Sequence, residues 1–144
     1  MTGIVLDASV VGKWFLGDEP GGDRAVRLRE RVVAGDLVPI APVHLPLELA
    51  AALLRAVRRG RFRAELVGPA LATIDAFEIE IANPPGLAGN AAEVGLALGL
   101  HPFDAAYLVV ARLRGVPLIT ADRPLRDAGL RMGFDVVLLG DVPG

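Results

Sequence analysis

Short apolar segments alternate with longer helical segments along the whole chain, and this alternation limits the fold more than any other feature. Ile4-Val5-Leu6, for example, is an apolar run that ends abruptly at an acid, which is typical of a buried strand. Strands separated by helices favour a parallel sheet, because each parallel neighbour requires a crossover connection. We therefore predict an α/β fold in which helices flank a central parallel sheet on both faces. The predicted strands are residues 4–6, 37–41, 77–81, 116–120 and 135–139.

The segments between these strands have the spacing of amphipathic helices. The clearest begins at Leu45, where apolar residues recur every three or four positions up to Ala56. The stretch from residue 63 to residue 76 also has helical spacing, with a break or kink expected at Pro69. No repeat, linker or low-complexity tract divides the chain, so we expect one domain over residues 1–144. The predicted helices are residues 8–16, 23–34, 45–59, 63–76, 88–98, 103–114 and 123–130.

Composition excludes several classes of protein. The chain of 144 residues is 53% hydrophobic and contains no cysteine, which rules out a disulfide scaffold and a Cys-ligated metal site. A net charge of −2 argues against a generic basic nucleic-acid binder, although not against a nuclease whose site holds metal ions. The first seven residues contain no cationic run and end in Asp7, so we expect no leader, and no apolar run is long enough to span a membrane. We expect a cytoplasmic protein that makes no membrane contact.

Four acidic residues occupy positions where apolar residues are expected. Asp7 and Asp122 each follow a predicted buried strand, at the edge where open α/β sheets bind ligands. Glu48 borders the buried stripe of its helix, and Asp104 stands in the first turn of the most apolar helix. Taken singly, each has an ordinary explanation as a helix cap, a turn residue or a solvated side chain.

Considered together, the four acids favour a cation site. A buried carboxylate is costly unless it is paired or bound to a metal, and the chain has only one lysine, Lys13. Carboxylates that converge on one edge repel each other unless a cation neutralises them. With many oxygen donors and no thiols, Mg²⁺ or Mn²⁺ is the expected cation.

The acids also lie within four motifs that resemble those of the PIN-domain ribonucleases. The closest match in size and spacing is to the VapC-type toxins of bacterial toxin–antitoxin pairs, over Thr2 to Val142. Each motif is weak alone, but all four in order are specific. They are Val5-Leu6-Asp7-Ala8-Ser9, Leu47-Glu48-Leu49, Phe103-Asp104-Ala105-Ala106-Tyr107 and Ile119-Thr120-Ala121-Asp122-Arg123.

This resemblance implies a Rossmann-like PIN domain with an acidic pocket that holds Mg²⁺ or Mn²⁺. Asp7 and Asp104 match the most direct metal ligands, and Glu48 and Asp122 complete the pocket directly or through water. Ser9 and Thr120 match supporting hydroxyl positions. The family reaction is metal-dependent endonucleolytic cleavage of RNA, and bacterial members usually form homodimers inhibited by a cognate antitoxin, here a VapB-like protein.

The sequence departs from the family pattern at two positions near these acids. Ala51 stands where an asparagine often follows the helical glutamate, so any polar contact of that asparagine is absent. Phe103 replaces the tyrosine that often precedes the third acid. Neither change removes a charge from the predicted pocket, so we expect the site to remain active.

Other functions stay open at this point. A haloacid-dehalogenase-like phosphatase also has an aspartate after its first strand, but it requires a second aspartate where this chain has Ser9. A non-catalytic α/β module that acts through a partner or RNA is a further alternative. So is a PIN nuclease that processes RNA without an antitoxin.

Two groups of residues have no settled role from the sequence. The arginines at positions 55, 58, 59, 61 and 63 either bind RNA phosphates, receive an acidic segment of a partner, or are simply solvated. His44 and His101 each precede a predicted helix beside a proposed acid. Structural roles are expected for both, with general-base catalysis as the alternative.

Overall fold

A computed structural model describes residues 2–143 and has a five-stranded parallel sheet at its centre. The strand order is β3-β2-β1-β4-β5, so the chain adds strands on one side of β1 and then on the other. This confirms the predicted α/β fold with helices packed on a parallel sheet. The predicted domain limits, residues 1 and 144, lie outside the described residues. The strands are β1 (Thr2–Leu6), β2 (Leu37–Pro42), β3 (Glu80–Ala82), β4 (Leu118–Thr120) and β5 (Val136–Leu138).

Seven α-helices connect and cover these strands within residues 2–143. The helix over Pro102–Arg114 is buried continuously from Ala105 to Ala111 and contacts three of the strands. Side chains buried on both faces of the sheet explain why the strands read as short apolar runs. The helices are α1 (Ala8–Val11), α2 (Gly22–Val33), α3 (Leu45–Arg58), α4 (Val67–Ala76), α5 (Leu87–Leu98), α6 (Pro102–Arg114) and α7 (Arg123–Arg131).

Three predicted elements differ from the structure for local reasons. The helix expected over residues 8–16 is a short α1 followed by a 3₁₀ turn. The Gly12 carbonyl accepts the last backbone hydrogen bonds of that turn. The stretch predicted as a helix over residues 63–76 is divided two residues before Pro69, into a 3₁₀ turn over Ala64–Leu66 and α4, and Pro69 lies in the first turn of α4, where its missing N–H would be unpaired anyway. The third strand covers residues 80–82 instead of 77–81, because Phe77 and Glu78 donate backbone hydrogen bonds back to α4 and Glu78 has a φ of 52°.

None of the helices among residues 2–143 is by itself long and apolar enough to cross a membrane. Only α5 and α6 taken together meet the length and composition for a span, and a bend of 110° separates them.

The connection from α5 to α6 depends on a glycine. A Cβ atom at Gly95 would lie 2.8 Å from the backbone oxygen of Leu100, closer than such atoms can approach. We therefore expect Gly95→Ala to destabilise the fold by about 1–3 kcal/mol through overpacking. Gly89→Ala in the same helix has open space around it and should stabilise by roughly 0.5–1 kcal/mol. Urea denaturation of both variants measures this difference, and equal effects would contradict the close contact.

Candidate active site

Four carboxylates that are far apart in the sequence lie at one edge of the sheet. Asp7 directly follows β1 and Asp122 follows β4, and these two strands are neighbours. Glu48 lies in the first turn of α3, which follows β2, and Asp104 lies in the first turn of α6. The order of strand addition reverses between β1 and β4, and open α/β sheets bind ligands at such a reversal. The fold therefore gathers all four predicted acids at this edge.

Asp7 is the most buried of the four acids, with 5% of its surface exposed. Burial is the main reason why the pKa of Asp7 rises to about 6, since it disfavours the charged form. Hydrogen bonds from Thr120 and Ser9 lower the pKa of Asp7, while the charges of Glu48 and Asp104 raise it. A carboxylate in this environment favours the approach of a cation.

Two hydroxyl groups hold one oxygen of Asp7 and connect the ends of β1 and β4. Oδ2 of Asp7 accepts hydrogen bonds from Thr120 Oγ1 at 2.6 Å and from Ser9 Oγ at 2.9 Å. Ser9 Oγ in turn accepts from the Ala121 backbone N–H, and Thr120 Oγ1 accepts from that of Asp122. The predicted supporting residues Ser9 and Thr120 therefore lie at the site and fix the orientation of the Asp7 carboxylate.

Asp104 lies within electrostatic reach of two other acids and two histidines. Partial burial, followed by the charges of Glu48 and Asp122, raises the pKa of Asp104 above its usual value. His101 and His44 lower that pKa. Because Asp7 is influenced by the same Glu48 and by Asp104, the four carboxylates form one electrostatic cluster.

Glu48 is held by two side chains through a single oxygen. Its Oε1 accepts a hydrogen bond from the Tyr107 hydroxyl at 2.8 Å and lies 2.9 Å from His44 Nε2. The same His44 nitrogen is 3.0 Å from the backbone oxygen of Phe103. Since both neighbours of Nε2 are acceptors, this nitrogen carries the proton and donates it. His44 therefore positions Glu48 and the start of α6.

Tyr107 was not among the residues predicted for the site. Its side chain is completely buried, and burial together with the charges of Asp7 and Glu48 raises its pKa, so the hydroxyl stays protonated. One feature of the sequence could have indicated Tyr107: it follows Asp104 by three residues and therefore lies on the same face of an apolar helix. A buried tyrosine hydroxyl needs a hydrogen-bond partner, and in this protein the partner is a carboxylate.

His101 has a structural role at the start of α6. Its Nδ1 accepts a hydrogen bond from the backbone N–H of Phe103 at 3.1 Å, so the imidazole caps the helix. The Phe103 ring lies beside the His101 ring at 4.7 Å and stacks on the His44 ring at 4.8 Å. Together these rings fix the helix turn that carries Asp104.

Asp122 serves as a helix cap in addition to lying in the acidic cluster. Its Oδ1 accepts a hydrogen bond from the backbone N–H of Leu125 at 3.1 Å and caps α7. Within the described chain no hydrogen bond engages its Oδ2. One oxygen is thus structural and the other is free for a ligand.

The donor set fits a hard divalent cation. Across residues 2–143, no protein donor engages Oδ1 of Asp7, Oε2 of Glu48 or either carboxylate oxygen of Asp104. None of these oxygens is fully buried, so each can be reached by a ligand. Such solvent-accessible carboxylate oxygens are the ligands that Mg²⁺ and Mn²⁺ prefer. Among the same described residues, no group of three metal-binding side chains is close enough to hold an ion directly.

The fold and the site together define a doubly wound α/β protein with a cluster of acidic side chains at its strand reversal. The PIN domain family model matches residues 4–130, and the chain belongs to the PIN domain family. PIN domains are generally metal-dependent nucleases, that is, hydrolases. This membership confirms the resemblance to PIN domains and disfavours the phosphatase alternative.

A solved structure supports the same fold. The protein is similar to the crystal structure of PAE2754 from Pyrobaculum aerophilum, with a TM-score of 0.68 and 22% sequence identity. The alignment covers 96% of this chain and 90% of that one. No curated protein matches the sequence.

Proposed function

We propose that this protein is a Mg²⁺- or Mn²⁺-dependent endoribonuclease of the VapC type. The observation that carries the proposal is the buried Asp7 carboxylate, which keeps one oxygen free beside Glu48 and Asp104 at the strand reversal. All four acids predicted from the family motifs are present, which favours catalysis over a degenerate binding module.

The proposed roles follow from the contacts of each side chain. Asp7 and Asp104 would hold the metal most directly, with Glu48 and Asp122 completing the site. A bound Mg²⁺ or Mn²⁺ supplies charge neutralisation, polarises the phosphodiester and lowers the pKa of water. Ser9 and Thr120 keep one Asp7 oxygen fixed so that the other faces the ligand, and they hold the ends of β1 and β4 in register.

The Glu48 carboxylate has one anchored and one free oxygen, which suits a group that orients or deprotonates the attacking water. Tyr107 and His44 both donate to Oε1. These two contacts fix the orientation of the carboxylate and therefore the direction of Oε2. Hydrolysis adds this water to the phosphorus, the bond from phosphorus to the leaving ribose oxygen breaks, and that oxygen takes up a proton from solvent. The free carboxylate oxygens are the available acceptors for the water proton.

Metal removal tests this function. Incubation of the purified protein with single-stranded RNA and Mg²⁺ should give internal cleavage, and excess EDTA should reduce the rate at least 100-fold because the acidic cluster alone repels the phosphate. Readdition of Mg²⁺ or Mn²⁺ should restore cleavage. Cleavage that persists unchanged in EDTA, or that occurs only from RNA ends, would contradict the proposal.

The partner assignments are part of the same proposal. We infer a cytoplasmic protein, folded as one domain over its 144 residues, that forms a homodimer and is inhibited by a VapB-like antitoxin. Several large apolar side chains are exposed and thus available for such contacts. Light scattering on the isolated chain distinguishes the dimer from a 15.1 kDa monomer. The exposed apolar residues include Leu47, Leu54, Leu96, Phe103 and Leu113.

A further inference from the structure

A groove of about 290 Å³ lies next to the acidic site, against α3. Ser9, which donates a hydrogen bond to Asp7, is one of its lining residues, and Ala52, Arg55 and Arg59 line it from α3 and the end of that helix. The groove therefore adjoins the acidic site through Ser9, although none of the four carboxylates lines it, and it is lined by basic side chains.

Some cations of this region, including two members of the arginine cluster at positions 55–63, form ion pairs, and others do not. Arg61 is bonded to Asp18 at 3.0 Å, and Arg63 is paired with Glu65 at 2.6 Å. Lys13 lines the groove too, but it lies 3.7 Å from the groove residue Glu19. These cations already have a carboxylate partner.

Arg55 and Arg59 differ from those cations because no ion pair engages them within the described chain. Both side chains are exposed and line the groove. Arg58 is likewise exposed and without an ion pair in the described part, yet it does not line the groove. Two unpaired guanidinium groups thus face the groove while a third, on the same helix, does not.

Helix geometry places the two groove arginines in line with Glu48. At 100° per residue, Arg55 in α3 and Arg59, which directly follows α3, lie within about 20° of Glu48 around the helix axis, whereas Arg58 lies about 80° away. A rise of 1.5 Å per residue separates Glu48 from Arg55 by about 10 Å and from Arg59 by about 16 Å along that axis. One face of α3 therefore changes from acidic at the site to basic beyond it.

We propose that Arg55 and Arg59 bind backbone phosphates of the RNA next to the scissile phosphate. This inference rests on the proposed nuclease function and assigns the direction in which the substrate leaves the site. An RNA strand carries phosphates continuously from the acidic site into the groove, and guanidinium groups match phosphate oxygens in pairs. An acidic protein segment has no such reason to extend from the catalytic site, so RNA is the favoured occupant.

The test measures RNA binding without cleavage. The Asp7→Asn protein, kept in EDTA, is titrated with a fluorescently labelled single-stranded RNA at several salt concentrations. Each lost phosphate contact lowers the slope of log K against log salt by about 0.7, so Arg55→Gln combined with Arg59→Gln should lower it by about 1.4. Affinity in low salt should fall by roughly tenfold or more. Arg58→Gln, the matched control, should change neither quantity.

Three outcomes would overturn the assignment. One is an unchanged salt slope in the double variant, and another is an equal loss in the Arg58→Gln control. The third is RNA affinity that stays constant while affinity for poly-glutamate falls, which would assign the groove to an acidic protein segment. Wild-type cleavage in Mg²⁺ is scored separately, so failure of the nuclease proposal is distinguishable from failure of the groove.

Discussion

Replacement of Asp7 by asparagine is expected to abolish metal-dependent RNA cleavage while making the folded protein more stable at neutral pH. Asparagine has nearly the same shape, and its side-chain oxygen can accept the hydrogen bonds that Ser9 and Thr120 donate to Asp7. It lacks the negative charge that attracts a divalent cation to the centre of the cluster. We expect the cleavage rate to fall by about 1,000-fold or more, because the site loses its most buried proposed ligand.

The gain in stability follows from the raised pKa of Asp7. An aspartate with a pKa of about 6 in the folded protein and 3.8 as its reference value binds more protons when folded over the interval between them. Stability from this group is therefore greatest below pH 4 and falls as the pH rises through 6. Above pH 7 the charged side chain costs up to about 3 kcal/mol, which Asp7→Asn should recover in the absence of metal.

Urea denaturation at pH 7.5 in EDTA, together with cleavage assays in Mg²⁺, measures both effects on one preparation. Asp135→Asn is a matched control, since Asp135 is exposed and precedes β5, at the opposite edge of the sheet from the acidic cluster. It should keep wild-type activity and stability. If Asp7→Asn retained activity, or lost both activity and stability, the proposed role of this carboxylate would be wrong.

The positions of the four acids relative to the sheet were predictable because strand ends and helix starts follow from local pattern. Apolar runs that stop at Asp7 and just before Asp122 place those residues at one edge of any parallel sheet. The positions of Glu48 and Asp104 on their helices could be predicted from the helical periodicity of their own segments. The α/β fold was predictable for the same reason, since each strand and helix has its own apolar signature.

The supporting contacts were less predictable because they join distant parts of the chain. Tyr107 and Glu48 are 59 positions apart, and no periodicity in either helix indicates that the hydroxyl and the carboxylate meet. His44 reaches the Phe103 carbonyl across the same interval. Such pairings depend on how two helices pack, which a single sequence does not encode locally.

The arginine cluster shows the same limit. In the sequence its five members form one basic run, with nothing to separate those that are paired from those that are free. Arg61 finds its partner 43 positions away in the loop before α2. Only the packed structure shows that Arg55 and Arg59 have no ion pair within residues 2–143 and line the groove that Ser9 also lines.

Divalent metal is expected to stabilise the protein in a way that grows with pH, opposite to the behaviour of the metal-free acidic cluster. Without metal, raised pKa values at Asp7 and Asp104 make the contribution of these groups to stability fall as the pH rises. A metal requires the deprotonated carboxylates, so protons compete with it and its effect increases as the same groups ionise. Metal binding should therefore cancel the fall in stability that the ionisation of Asp7 causes in the metal-free protein.

The expected size can be measured by thermal unfolding with Mn²⁺ or EDTA at pH 5 and pH 7.5. A metal at a hundredfold excess over its dissociation constant contributes about 2.7 kcal/mol, equivalent to roughly 6–10 °C in a chain of this length. At pH 5, one unit below the pKa of about 6 of Asp7, about nine-tenths of that carboxyl is protonated, which removes about 1.4 kcal/mol of the metal effect. Asp135→Asn should retain the full pH-dependent shift and Asp7→Asn should lose it. An equal shift at both pH values, or a shift preserved in Asp7→Asn, would place the metal away from Asp7, because only a ligand whose proton the metal displaces can couple the two equilibria.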